Sequence, residues 1–229
     1  MKKILVSISF VLFLLFPLEN NAHVDHYSKY NYLEYELFRN NKLIGYHKYV
    51  FKRDNKNLTI DNEVSFKITK LGVDLYKYYA KGEEKYINGE FFEFRSKTNQ
   101  NKKEKFVNIT VDPVDKNLNI YGSSFKGKAD KDYIIGTWWN HEIVQKQAQI
   151  SAVSGRIIEQ KVEFIGKEQV KIGDKTYNTL KFNFSSSDPS LSKDKKLNTD
   201  IWYEEETYLW VKAAFDKTGY WEYRLKKAE

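Results

Sequence analysis

Any chemistry in this chain has to come from four histidines, a run of acids or a surplus of aromatic rings. The histidines are His23, His26, His47 and His141. His23-x-x-His26 with Asp25 has the spacing of a loose metal tract. It lacks a third partner on a rigid element, which a metal site needs. It reads as an exposed tail, and no metal ligand is assigned. His141 beside Glu142 makes no relay through adjacency alone. The nearby hydroxyls, Ser151 and Ser154, are candidates only by closeness in sequence. There is no Cys, no G-x-S-x-G and no H-E-x-x-H. A nucleophilic triad has nothing to stand on. Asp200 and Glu204-Glu205-Glu206 flank Trp202-Tyr203, and a glycosidase sets two carboxyls across a sugar between aromatic platforms. A triple Glu at a turn is the usual pattern of a solvated loop. No catalytic residue is assigned.

No Gly-rich phosphate loop precedes a helix, and no cofactor is expected. Aromatics interleaved with Lys can mimic a face for single-stranded nucleic acid. The export signal described below argues against such a partner. The net charge is +7, but the lysines alternate with Glu and Asp, as on a solvated face. Only Lys102-Lys103 with Lys105, and Lys193 with Lys195-Lys196, are locally dense.

The aromatics remain: Tyr 17, Phe 15 and Trp 5 in 229 residues. Such rings favour half-buried pleated surfaces. A curled sheet lined by them can hold an acyl chain or another apolar ligand. Trp138, Trp139, Tyr78, Phe92 and Trp202 are the candidate ligand-binding residues. The competing reading, an ordinary filled core with Tyr hydroxyls at the rim, carries more weight. Burying one indole removes about 150–250 Å² from water, so stability alone can justify Trp138 and Trp139.

These side chains must be positioned by strands. Met1-Lys2-Lys3 is a positive n-region, Ile4 to Phe16 an apolar h-region, and Glu19 to Ala22 a polar c-region. This is a signal peptide, with cleavage expected after Ala22 and a destination in the periplasm or outside the cell. No later segment is apolar enough for a membrane span. Residues 23–229 form one domain. His23 to Ser28 is expected to fray. From Tyr30 the alternation begins. Leu33, Tyr35 and Leu37 share a face opposite Glu34 and Glu36. Gly45 inside the next strand marks a bulge or tight bend. Leu58, Ile60, Val64, Phe66 and Ile68 face one way, with Thr59, Asp61, Glu63, Ser65 and Lys67 on the other. That period of two implies an antiparallel sheet with one wet face. Asn88-Gly89 is a hairpin turn.

The pattern breaks at Gly136-Thr137-Trp138-Trp139-Asn140-His141 and resumes after Gly155. This stretch is read as the crossover between two runs of strands. One short helix is expected near 139–149, capped by Asn140. Further strands follow around Ile158–Phe164, Leu180–Phe184, Asp200–Tyr203, Tyr208–Phe215 and Tyr220–Leu225. The fold class is all-β: a single strongly curved antiparallel sheet, an open or closed barrel of about eleven strands.

The order Trp138/Trp139-Asn140, Gly155, Gly166-Lys167-Glu168-Gln169-Val170 with Gly173, Asp200-Ile201-Trp202-Tyr203 and a closing strand after Gly219 is distinctive. With Leu43-Ile44-Gly45 and an aromatic meander before it, the chain resembles the exported bacterial family called domain of unknown function 6134, and its relative 3108. The resemblance covers most of residues 23–229. It implies an envelope location and a β-rich fold. It implies no activity, and no functional residues carry over from it.

The sequence therefore points to a non-enzymatic, β-barrel-like envelope protein. Its expected partner is an apolar or lipid-like ligand, or an envelope protein. Two alternatives stand beside this. One is an envelope enzyme acting on glycan or lipid, with Asp200, Glu204 and His141 in one cleft. The other is a structural or assembly factor that pairs through a sheet edge.

Overall fold

The computed structural model describes residues 27–192 and 195–229. The expected signal peptide and the His23/His26 tract lie outside the described residues. The strands, in chain order, are β1 (Tyr32–Arg39), β2 (Lys42–Asp54), β3 (Asn57–Lys70), β4 (Val73–Ile87), β5 (Glu90–Gln100), β6 (Lys103–Val111), β7 (Leu118–Gly122), β8 (Lys126–Ala129), β9 (Ile134–Ile135), β10 (Ala148–Ile150), β11 (Ile157–Ile172), β12 (Lys175–Ser186), β13 (Asn198–Glu204), β14 (Trp210–Asp216) and β15 (Tyr220–Ala228). They form one 15-stranded sheet in the order β8-β7-β6-β5-β4-β3-β2-β1-β15-β14-β13-β12-β11-β10-β9. Neighbours are antiparallel, apart from the parallel pair β9–β10.

The sequence led to about eleven strands, and the count is fifteen. The difference lies mainly in β8, β9 and β10, which flank or interrupt the crossover. Lys126-Gly-Lys-Ala, Ile134-Ile135 and Ala148-Gln-Ile are too short to show alternation. The expected helix near 139–149 is a single 3-10 turn, His141–Gln145. Asn140 caps it as expected, its Oδ1 accepting from the Glu142 N–H at 3.0 Å. The turn goes no further because Lys146 is extended and Ala148–Ile150 pairs with β11.

A sheet this long curls, because strand twist accumulates. Its edges, β8 and β9, share no ladder. They are drawn together by side chains and by the crossover. Ile135 and Ile150 pack with Phe94, Val107, Ile109, Leu118, Ile120 and Ala129. Ser124 N–H donates to the Ser154 carbonyl at 2.9 Å, and Ser96 Oγ to the Ala152 carbonyl. The crossover thus runs through the barrel as part of its core. Trp139 and Ile143 are fully buried among Leu33, Tyr35, Tyr49, Phe51, Ile60, Tyr203 and Trp210.

Tyr27 does not fray. It is fully buried, stacked on Phe51 at 5.6 Å and edge-on to Trp139 at 5.7 Å. Its hydroxyl accepts from the Trp210 N–H at 2.8 Å. A ring of this size outweighs terminal chain entropy once it closes one end of an aromatic core.

Candidate functional site

The inner face is carried from strand to strand by the register, with shifts at the bulges. His47 stands opposite Tyr35 and Val64, Phe66 opposite Tyr78, and Phe215 opposite Trp221. These residues converge on the end of the barrel where the β1–β2, β3–β4, β5–β6 and β14–β15 turns gather. Backbone contacts fix that gathering, since Asn40 N–H donates to the Tyr220 carbonyl at 2.8 Å.

There the core is not filled. An open cleft of about 690 Å³ is lined by Phe66, Ile68, Leu75, Tyr76, Tyr78, Val153, Phe215, Trp221 and Tyr223, with Arg39 and Lys217 at its lip. The rings brace one another. Phe66 stacks on Tyr78 at 4.7 Å and meets Trp221 edge-on at 5.3 Å, and Phe215 stacks on Trp221 at 5.9 Å. The Arg39 guanidinium lies 5.9 Å over the Trp221 ring, capping the mouth with charge.

Tyr78, Val153 and Tyr223 also border a second, inner chamber of about 140 Å³. Its walls include His47, Tyr49, Asn62, Ser96, Thr137, Trp138 and Ala152. Trp138 forms its roof. The backbone there is left-handed (φ 61°), an uncommon conformation for a non-glycine residue. The conformation is held from both sides. Tyr49 OH donates to the Thr137 carbonyl, and Tyr203 OH to the Trp138 carbonyl at 2.9 Å. The Trp138 ring is wedged edge-on between Trp210 and Tyr223, each at 5.5 Å. Strain held in place by surrounding structure is a frequent mark of a functional position.

His47 is buried in this wall against Tyr49 at 4.4 Å, Trp210 and Tyr223 at 5.9 Å, and Tyr35 at 6.3 Å. Burial pushes its pKa down to about 3, so the ring is neutral at ordinary pH. Its Nδ1 has no hydrogen-bond partner among the described residues. Burial also pushes the Tyr78 phenol up to about 12. The inner chamber is therefore lined without charge: His47 is neutral, and its other polar side chains are Asn62, Ser96 and Thr137. It holds no charged nucleophile or base.

The five residues singled out from the sequence separate in space. Trp138 and Tyr78 line the inner chamber together. Trp139 is buried on the far side of the crossover, against Tyr27, Phe51 and Tyr86. Its Nε1 donates to Glu84, a buried carboxyl whose pKa is raised by desolvation. Phe92 is 49% exposed at the β4–β5 bulge. Trp202 lies on the outer face between the Lys181 and Lys212 ammonium groups, each 4.8 Å from its ring, and its Nε1 donates to Glu168. His47, Phe66 and Phe215 were missed as site residues. The signal for His47 was present: it falls in phase with Gly45, Tyr49 and Phe51, a polar ring on an apolar face.

The carboxylates of the enzyme reading do not converge. Asp200 pairs with Lys181 at 3.0 Å on the outer face. Glu204 is four residues further along β13, about 13 Å at strand rise. That exceeds the span of about 5–9.5 Å that glycosidases use. The Glu204 carboxylate instead accepts from Thr207 Oγ1 and N–H within its turn, and His141 stacks on Tyr208 at 4.5 Å. Among the described residues no cluster of His, Asp and Glu fits a metal ion, and no helix is long and apolar enough to cross a membrane.

A curled antiparallel sheet with its crossover packed inside defines a β-barrel-like protein. The same class is seen in the crystal structure of a beta-barrel-like protein of the domain of unknown function DUF1849 from Brucella abortus. That structure is similar with a TM-score of 0.56 and 11% identity, over 86% of this chain and 96% of that one, a likeness of fold alone. The chain belongs to the family described as Domain of unknown function (DUF6134), whose model matches residues 35–226. No curated protein matches it.

Proposed function

We propose that this protein is an exported, non-enzymatic carrier or sensor of an apolar, lipid-like ligand held at one end of its barrel. The carrying observation is the aromatic funnel. Its outer cleft of about 690 Å³ falls within the usual range for small-molecule sites, about 300–1,000 Å³. Its walls are mostly rings, and its inner end carries neutral polar side chains, His47 with Asn62, Ser96 and Thr137. That composition suits a chain or ring system with a polar tip. The bulk of the barrel interior is a filled core, so the ligand occupies the mouth and leaves the centre packed. Export follows from the charged, apolar and polar order of residues 1–22, which is that of a signal peptide.

The test is native mass spectrometry of the purified protein, followed by titration with a fluorescent fatty acid. A retained lipid-sized adduct, or saturable probe binding reversed by an unlabelled fatty acid, supports the reading. A bare protein that also ignores the probe removes it.

A further inference from the structure

The mouth of the barrel carries a feature that reaches beyond the cleft, although its base, Ile68, Leu75 and Tyr76, forms part of the cleft wall. The β3–β4 hairpin outruns its neighbours. β2 stops pairing with β3 at Phe66, and β5 stops pairing with β4 at Tyr78. β3 and β4 continue to pair to Lys70 and Val73. Lys67 to Lys77 is thus a two-stranded finger projecting from the mouth.

Its tip is built against the rules of a solvated turn. Leu71 is 95% exposed and sits at φ 50°, and Val73 and Leu75 are also exposed. At left-handed positions the β1–β2, β2–β3, β4–β5 and β5–β6 turns each place an Asn, a residue that tolerates this φ. Leu71 therefore costs twice, in backbone strain and in hydration, with no internal packing in return. A large apolar residue held out on a protruding turn is stabilised only when something covers it.

Charge says what covers it. Lys67, Lys70 and Lys77 surround the tip, and Lys42, Lys102 and Lys217 stand on the turns beside it. Of the acids at this end, Asp74 is already tied to Thr69 and Lys77. At the opposite end Asp112 and Asp115 pair with Lys128 and Glu205 pairs with Lys167, and Lys56, Lys116 and Lys175 stand on the same set of turns, so charge there is mixed. The local excess of lysine lies at the open mouth. Tyr79 and Tyr220, both exposed near the mouth, add rings of the kind that settle at lipid headgroups.

We infer that the Lys67–Lys77 finger docks the open end of the barrel onto an anionic phospholipid surface. Leu71, Val73 and Leu75 enter the headgroup layer while the lysines meet lipid phosphates. The opposite end faces away. Docking would set the aromatic mouth against the bilayer, yet the inference stands on the finger and the charge, whether or not the funnel holds a ligand.

The test is co-sedimentation of the purified protein with vesicles rich in phosphatidylglycerol, compared with pure phosphatidylcholine. Anionic vesicles should bind at least about tenfold more tightly, and salt should weaken that binding. The double variant Lys67→Glu, Lys70→Glu should lose more than about tenfold, and Leu71→Ser roughly fivefold. The finger lies outside the shared sheet, so circular dichroism and the melting temperature should hold for both. Binding that ignores lipid charge, or that survives both variants, overturns the inference. So does self-association through the tip without vesicle binding. Fatty-acid affinity, read separately in detergent-free buffer, fails or holds independently of these outcomes.

Discussion

Trp139 Nε1 donates to Glu84 Oε2 across 3.0 Å inside the barrel, joining the crossover to the C-terminal part of β4. Thr137 Oγ1 donates to the same oxygen at 3.4 Å, and Tyr86 OH to the other carboxylate oxygen. Among the described residues Glu84 has no salt bridge. Three neutral donors in an apolar core are its whole solvation.

This makes Glu84 a tie between the two halves of the sheet. Glu84→Ala strands the indole N–H and the Thr137 hydroxyl in the core and leaves a cavity. The expected loss is about 3 kcal/mol. Trp139→Phe keeps a ring but removes the donor, and should cost about 1–3 kcal/mol. Denaturant melts of both single variants and the double should show a coupling of about 1 kcal/mol or more. Additive losses would mean the contact carries no energy.

How much of this was legible in the sequence follows from where the pattern repeats. The faces of β1 and β3 were plain, because Leu33-x-Tyr35-x-Leu37 and Leu58-x-Ile60 alternate over long strands. The crossover was visible as a break in period two. Its internal strands were not, since Ile134–Ile135 is only two residues long. The site was half legible. Trp138 and Tyr78 were found by ring type, but type cannot say which face of a strand a ring occupies once bulges reset parity. Trp202 fell outside in this way. The sheet pairs Tyr203 with the inner Trp210, so its neighbour in sequence faces out. Glu84 gave no signal, because Glu83 and Glu84 look equivalent until the fold buries one of them.

A second prediction concerns Gly45. It lies beside the β1–β2 irregularity at Leu37/Phe38, the bend anticipated from the glycine. A Cβ there would stand 2.0 Å from the Ser65 carbonyl oxygen and 2.5 Å from Phe66 Cβ. Both neighbours are fixed at their backbone. Gly45→Ala should therefore cost about 3 kcal/mol, because β2 must part from β3 at the edge of the aromatic mouth. A melting temperature within a degree or so of the parent would contradict this.

His47 titrates near 6.5 when unfolded and at about 3 in the fold, through burial alone. Its contribution is fully present above 6.5 and is lost as pH falls toward 3. Each pH unit in that window removes up to about 1.4 kcal/mol. Glu222 acts in the same direction below its ordinary value of 4.5, since hydrogen bonds and charge from Lys212 and Arg224 outweigh its desolvation. Glu84 opposes them: its raised pKa gives stability at low pH that fades as pH rises through the folded value. Between pH 6.5 and 4.5 His47 and Glu84 act in opposite directions, so the comparison with a variant isolates His47. In urea melts across that range, acidification should cost the parent more stability than it costs His47→Gln. An unchanged slope in the variant would show that His47 is not the titrating group.

The funnel is best tested by setting two tryptophans against each other. Trp221 and Trp202 present the same indole, and both lie under basic side chains, Arg39 for one and Lys181 with Lys212 for the other. Only Trp221 lines the open cleft, braced by Phe66 and Phe215. Trp202 packs with Val170, Val211 and Ala214 on the outer face. Trp202 is almost fully buried and Trp221 half-buried, so removing either ring costs stability, and that loss cannot by itself show which one a ligand touches. Binding can. Trp221→Ala takes out a wall of the site and should weaken a fluorescent fatty acid by about tenfold or more, an effect of the order expected from losing one ring contact. Trp202→Ala should leave that affinity unchanged, even where it lowers the melting temperature by as much. Narrowing the neck between cleft and chamber with Val153→Phe adds bulk at a partly buried position and should weaken the probe without deleting a contact. If Trp202→Ala abolished binding while Trp221→Ala did not, the ligand would sit on the outer face and the mouth would be only a gap in the packing.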